Sequence, residues 1–315
     1  MRELFSFSTD RRDIGHTATE TLLATPGPTH PNTTSLLPSR WRGAAAVAAA
    51  AVGVALASSS SSVEPGPWET GLSAAEVLSS PAWPAAFPLT ATHLARLDET
   101  PDTRFYARPR INVQHVDESA IAALQELYAQ ELPRGGAVLD LMSSWTSHLA
   151  EGRGRDRADG HFARVSGLGA HAEELRANPA LHDYHAHDIN ADPRLPMYAD
   201  ESFDAVVCSV SVDYLADPLP VFREIHRVLK PGGPALFTWS NRMFPTKAIA
   251  AWREASEPAR LWICGAYFHY SVPGGFTPPE GVDLSPHAGR SDPVYAVSAR
   301  KLAGPGGGAN AKSEL

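Results

Sequence analysis

The sequence predicts an α/β fold built on a mostly parallel sheet with helices on both faces. Three observations carry this. From Asp117 onward, short apolar runs alternate with stretches of helical periodicity, and such alternation implies parallel strands joined by right-handed crossovers. The run Phe203-Asp204-Ala205-Val206-Val207-Cys208-Ser209 is almost continuously apolar, as a strand covered on both faces requires. The helical stretch after it, ending at Leu229, is stopped by Lys230-Pro231-Gly232-Gly233, a turn that cannot continue a helix.

Each element then follows in order. Asp117 caps a helix, and Glu118 suits its positive end. Ile121, Leu124, Leu127, Tyr128 and Leu132 form one apolar face. Pro133, Gly135 and Gly136 end it. Residues 137–141 read as the first strand, with an acid near its end, and a helix begins near Ser147. Residues 162–166 offer a second strand, and 171–178 a helix ended by Pro179. Residues 184–188 are the third strand and 203–209 the fourth. Residues 219–229 form a helix with Val221, Phe222, Ile225, Val228 and Leu229 on one face. A fifth strand spans 235–240, helices occupy 246–255 and part of 258–269, and a final strand spans 294–299.

Bulk properties bound the function. The chain has 315 residues, of which 43% are hydrophobic, enough for a buried core in one ordinary domain. The formal net charge is -8, which repels phosphate backbones and disfavours general nucleic-acid binding. The two cysteines, Cys208 and Cys264, build no disulfide framework, and no CxxC pair suggests zinc. Cys208 lies in an apolar run and reads as a small core residue.

Residues 1–100 read as a targeting and low-complexity segment, residues 101–302 as the folded domain, and the Gly-rich residues 303–315 as a disordered tail. Arg40 and Arg42 precede a weakly apolar run over 43–57, ending in Ala55-Leu56-Ala57 and a serine block. The run is shorter than the roughly 20 residues of a membrane span, so no integral span is expected. Basic flank, apolar stretch and small residues form a signal-type pattern set back behind a Ser/Thr- and Arg-containing stretch. A two-part organellar address to the chloroplast, extending to the thylakoid lumen, would have this layout. Asp10, Asp13 and Glu20 count against a transit segment, and an Ala-rich tail with no address, in another organelle or the cytoplasm, is the alternative.

Three pieces in this order carry a resemblance: Val138-Leu139-Asp140-Leu141, then Ser202-Phe203-Asp204-Ala205-Val206, then Val228-Leu229-Lys230-Pro231-Gly232-Gly233. Together they resemble the type-11 branch of the class I S-adenosylmethionine-dependent methyltransferases, over about residues 117–301. Leu141-Met142-Ser143-Ser144-Trp145 and Ser240-Asn241-Arg242-Met243-Phe244-Pro245-Thr246-Lys247-Ala248 further resemble an uncharacterised plastid and cyanobacterial-type subgroup. The resemblance implies a Rossmann-like sheet and S-adenosyl-L-methionine as cofactor. It implies Asp140 at the end of the first strand and Asp188 with Ile189 at the adenine edge. The family's glycine-rich loop is replaced here by Met142, Ser143, Ser144, Trp145 and Thr146, and its ribose-binding acid by Gly169. Met142, Ser144 and His171 are the residues placed to take over contacts to the cofactor.

Ligands bind beyond the carboxyl ends of strands in an open parallel sheet. On that rim Ser209, Tyr214, Arg242 and Lys247 are expected to receive a small-molecule acceptor, the two cations an anionic group. The alternative for Arg242 and Lys247 is a solvated pair beside a capped helix. No catalytic residue and no oligomeric state is read from the sequence. His182, His185 and His187 crowd the third strand, but no distant Cys or His completes a metal site, so none is expected. The expected function is methyl transfer from S-adenosylmethionine to an unidentified small molecule. The second reading is a non-catalytic binding or scaffold protein that has lost the cofactor. A nicotinamide-dependent oxidoreductase ranks last, because no GxGxxG follows the first strand.

Overall fold

The computed structural model describes residues 66–149 and 162–304. The chain divides into two units, residues 1–34 and 35–315, and the described residues all belong to the second. The expected signal pattern over 40–62 and the tail from residue 305 lie outside the described residues.

Two short helices come first, α1 (Ala91–Leu94) and α2 (Asp102–Phe105). Helix α3 (Glu118–Glu131) starts where the sequence places it, because the Asp117 side chain accepts a hydrogen bond from the Ala120 amide. Then come β1 (Ala137–Leu141), β2 (Arg164–Gly169), α4 (Ala172–Ala177), β3 (Asp183–Ala186) and β4 (Ala205–Ser209). A 3₁₀ turn at Val212–Tyr214 leads to α5 (Pro218–Val228), β5 (Pro234–Trp239), α6 (Ala250–Glu254) and α7 (Glu257–Ser271). Strands β6 (Glu280–Asp283) and β7 (Tyr295–Arg300) close the fold.

The seven strands form one sheet in the order β3-β2-β1-β4-β5-β7-β6. The contacts among β1 to β5 are parallel, and β7 pairs antiparallel with both β5 and β6. This is the α/β, Rossmann-like architecture expected. The order reverses between β1 and β4, which opens a crevice at their carboxyl ends. Alternation sorts the strand residues by face. Leu139, Leu141, Val206, Cys208 and Phe237 pack with α5 and α7, while Val138, Val165, Ala205, Val207 and Leu236 pack with Leu127 and Tyr128 of α3.

The sequence pieces that carried the resemblance have a structural reason. The Asp204 carboxylate accepts from the Ala137 amide at 2.8 Å and from Lys230 Nζ at 2.8 and 2.9 Å. One acid therefore ties the start of β1 to the turn after α5. Gly232 in that turn has φ +80, which favours glycine.

Several expectations are corrected. The domain does not begin at residue 101. Trp68, Val77, Leu78 and Leu89 are buried in the main core, and Trp68 and Trp83 pack on Trp262 of α7. Residues 66–100 were read as part of a targeting and low-complexity segment, but apolar anchors hold this lead-in to the core. Strand β2 lies later than 162–166, and β6 was not anticipated. Its four residues, Glu280-Gly281-Val282-Asp283, contain one large apolar side chain. The helix expected over 246–255 shrinks to α6. The one expected near Ser147 is irregular through Leu149 and then leaves the described residues.

Candidate functional site

A cavity opens at the carboxyl ends of β1, β2, β3 and β4, at the crevice between β1 and β4. Its floor is the β1 loop. Asp140 is buried, and burial pushes its carboxyl up to about 7, although Ser143 and Ser147 side chains donate to it and oppose the shift. Ser143 Oγ lies 2.6 Å from Asp140 Oδ2. Met142 has φ +56 and His148 φ +49. The loop therefore takes left-handed turns without the glycines that make them easy. Across the cavity Val210 has φ +45, a strained value for a β-branched residue, and such strain clusters at functional sites.

Gly169 ends β2. A Cβ there would lie 2.0 Å from the carbonyl oxygen of Ser143. No side chain fits, because the β1 loop itself fills the space. An acid does stand nearby. Glu174 of α4 is buried against the cavity, accepts from Ser144 Oγ at 2.7 Å and from the Arg110 amide at 2.6 Å. A carboxylate has about four lone-pair directions, so these bonds leave acceptor capacity on Glu174.

At the β3 end, Asp188 Oδ1 accepts from the amides of Asn190 and Ala191, and Oδ2 makes no hydrogen bond among the described residues. Ile189 beside it is buried and apolar. On the β4 side Ser209 Oγ is 2.7 Å from the Tyr128 hydroxyl, and Tyr214 Oη accepts from the Phe244 amide at 2.9 Å.

The structure thus brings Asp140, Met142, Ser144, His171, Asp188, Ile189, Ser209 and Tyr214 to one cavity. His171 has both ring nitrogens engaged. Nδ1 accepts from the Glu173 amide and caps α4, and Nε2 lies 3.3 Å from the Ala107 carbonyl. It holds backbone, so both of its ring nitrogens are already engaged.

The other two residues lie elsewhere. Lys247 does not reach the cavity. It is 1% exposed, pairs with Asp102 at 3.1 Å and donates to the Thr100 carbonyl. Asp102 also receives Arg96 at 2.9 Å and Asn190 at 2.7 Å. A buried ammonium is tolerable only where a carboxylate neutralises it, so Lys247 anchors the lead-in chain instead of greeting a substrate. Arg242 lines a second, adjoining cavity with His115, Tyr214 and Phe244. Its guanidinium pairs with Asp292 at 2.8 Å and is largely exposed.

Other lining residues were not anticipated. Asp102, Tyr106, Arg110 and His115 come from the segment before α3 and roof the cavity, with His148 on the β1 loop. Burial, and then the charge of Arg110, lowers the pKa of His115; burial lowers that of His148 to about 4. Each shift favours the neutral ring. The one available signal was the crowding of aromatic and basic residues between Arg104 and His115. The histidines flanking β3 serve structure. His182 Nδ1 accepts from the Val165 amide, and His187 Nε2 donates to the Asp192 carbonyl.

A sulfonium nucleoside fits these donors and acceptors. The open oxygen of Asp188 suits an exocyclic amine, Ile189 an adenine face, Glu174 sugar hydroxyls, and the left-handed turn at Met142 brings backbone close to the cavity.

The family described as a methyltransferase domain, type 11, matches residues 151–237. An arsenite methyltransferase of Aquipseudomonas alcaligenes is 32% identical over 202 residues, 58% of this chain and 56% of that protein. A malonyl-[acyl-carrier protein] O-methyltransferase of Erwinia pyrifoliae is 32% identical over 108 residues, 34% of this chain and 40% of that protein. The chain thus spans about half the length of these relatives. An S-adenosylmethionine-dependent methyltransferase structure from Mesorhizobium loti is 19% identical, with a TM-score of 0.39, covering 58% of this chain and 98% of that one.

Proposed function

We propose that this chain, which carries a class I methyltransferase domain of type 11, binds S-adenosylmethionine at the β1–β4 crevice and transfers its methyl group to a small molecule. The observation that carries the reading is the convergence of Asp140, the left-handed Met142 turn, Glu174 and Asp188 on one cavity at the switch point of the sheet.

When bound, the cofactor supplies an already activated methyl group. The protein's task is placement and exclusion of water. Asp188 and Ile189 orient the adenine. Glu174 and Ser144 hold the ribose side, and Asp140 with Ser143 fixes the β1 loop against it. The acceptor enters beneath Tyr106, Arg110 and Phe244, facing Ser209 and Tyr214. His115 there can accept a proton from an acceptor hydroxyl or thiol, whereas burial makes His148 a poor base.

The two relatives act on different acceptors by name, so their substrates do not fix this one. Loss of the cofactor site, the scaffold reading, rested on the missing glycines. Met142 making the turn a glycine would make weakens it. Among the described residues no helix is long and apolar enough to cross a membrane. Calorimetry with S-adenosylmethionine and S-adenosylhomocysteine tests the proposal. Saturable binding by the full chain, weakened in Asp188→Ala, is expected; no heat and no thermal shift at millimolar cofactor would overturn it.

A further inference from the structure

Arg110 is a cation of this cavity that no acid among the described residues pairs with. The guanidinium carbon lies 4.8 Å from the Tyr106 ring centroid, 4.9 Å from Phe244 and 5.3 Å from Phe105. Stacking against ring faces is a role a guanidinium fills better than an ammonium. Among the described residues its side chain makes no hydrogen bond and no ion pair.

The acids nearby are engaged elsewhere. Glu174 takes the backbone amide of Arg110, not its guanidinium. Asp102 is shared by Arg96, Lys247 and Asn190. The charge of Arg110 is felt by His115, which it helps keep neutral. A planar fork of donors, held rigid by aromatic rings and facing a cavity, has its orientation cost already met.

We infer that Arg110 is the carboxylate receptor of this site, resting on the proposed reading of the cavity as a methyltransferase centre. A carboxylate reaches it from either of two sources. One is the amino-acid end of the cofactor. The other is an acidic acceptor lying against the ring-lined roof, with the adjoining cavity at His115 and Phe244 giving it room.

The test uses the full chain and titration calorimetry with S-adenosylhomocysteine and 5′-methylthioadenosine, which lacks the amino-acid end. It is repeated with phenylacetate and phenylacetamide on protein loaded with S-adenosylhomocysteine. A charge-assisted contact of this kind is worth roughly 10- to 100-fold in affinity. If the cofactor is the source, Arg110→Gln loses about that factor for S-adenosylhomocysteine and little for methylthioadenosine. If the acceptor is the source, both nucleosides bind Arg110→Gln as they bind the parent. The parent then prefers phenylacetate over phenylacetamide, and the variant loses that preference. Arg110→Lys, which keeps charge but not the stacked fork, falls between parent and Gln in whichever arm responds. It carries the test if Arg110→Gln melts early. Arg110→Gln unchanged in every arm overturns the inference while leaving the cofactor reading intact. Failure of the parent chain to bind either nucleoside overturns both.

Discussion

The carbonyl oxygen of Ser143 occupies the space in which a side chain on Gly169 would begin, 2.0 Å from the Cβ position. The β1 loop and the end of β2 are therefore complementary, and the absence of an acid at 169 is a packing requirement. Gly169→Asp, which looks in the sequence like restoration of a lost ribose contact, is predicted to do harm. Displacing backbone in a packed site costs about 1–3 kcal/mol. A lower Tm and weaker S-adenosylhomocysteine binding are expected. Tighter binding at unchanged Tm would show that the loop is free to move away.

Burial raises the carboxyls of Asp140 and Asp213, each to about 7, from an ordinary value of 3.8. The sign follows from proton counts. Between those values the folded protein holds protons that the unfolded chain has released. Stability is therefore greatest below about pH 4 as far as these groups are concerned, falls as pH rises toward 7, and levels off above it. Each group contributes a slope of at most about 1.4 kcal/mol per pH unit. Urea unfolding at pH 5 and pH 7.5 is expected to show higher stability at pH 5. Asp140→Asn is expected to shrink the difference, and a difference as large as in the parent would contradict the burial argument.

Lys247, Asp102 and Arg96 form one buried ionic group that fastens the lead-in chain beside the cavity. Asp102→Ala leaves Arg96 with Glu99 at 3.3 Å and Lys247 with Asp98 at 3.8 Å, and is predicted to cost up to about 3–5 kcal/mol, the range for breaking a buried pair. Lys247→Met costs less, because Arg96 still neutralises Asp102. Chemical denaturation measures both. A Lys247→Met protein with the parent's stability but selectively weakened ligand binding would return Lys247 to the substrate role that its place in the sequence suggested.

The parts of the molecule set by local rules were legible in the sequence. Asp117 caps α3 because a side-chain acceptor three residues before a free amide needs no tertiary context. The strand around Val206 was visible from its apolar run. Asp140 and Asp188 were implied by the family resemblance, and Ser209 and Tyr214 were expected because strand ends in this topology point at one crevice; all four line one cavity. The roof was not legible. Arg110 meets Phe244, and Glu174 meets Ser144, through distances in sequence that no period or spacing encodes. Lys247 failed for the same reason: its partner Asp102 stands far from it in the sequence. Strand β2 began later than expected because Gly167 and Gly169 look like a loop.

Residues 66–100 complete the core and do not merely precede it. Trp68 packs edge-on against His93 at 5.0 Å and lies 6.3 Å from Trp262, and Trp83 lies 4.8 Å from Trp262. Leu78 closes over Gly265, where an added Cβ would come within 2.7 Å of it. The Ala250 amide donates to the Ala95 carbonyl, so backbone pairing joins the same segment to α6. A chain beginning at residue 101 would expose this face of α7. Fully burying large apolar side chains contributes about 1.5–3 kcal/mol each, so loss of Trp68, Val77, Leu78 and Leu89 together is of the same size as the usual margin of about 5–15 kcal/mol. Such a chain is predicted to be insoluble or to unfold without cooperativity, whereas one beginning at residue 66 melts as the full chain does. Trp68→Ala gives the graded version, expected to cost about 3–5 kcal/mol. Differential scanning calorimetry of the three proteins decides it: a chain from residue 101 with a sharp transition at the parent's Tm would mean that the first hundred residues are dispensable after all.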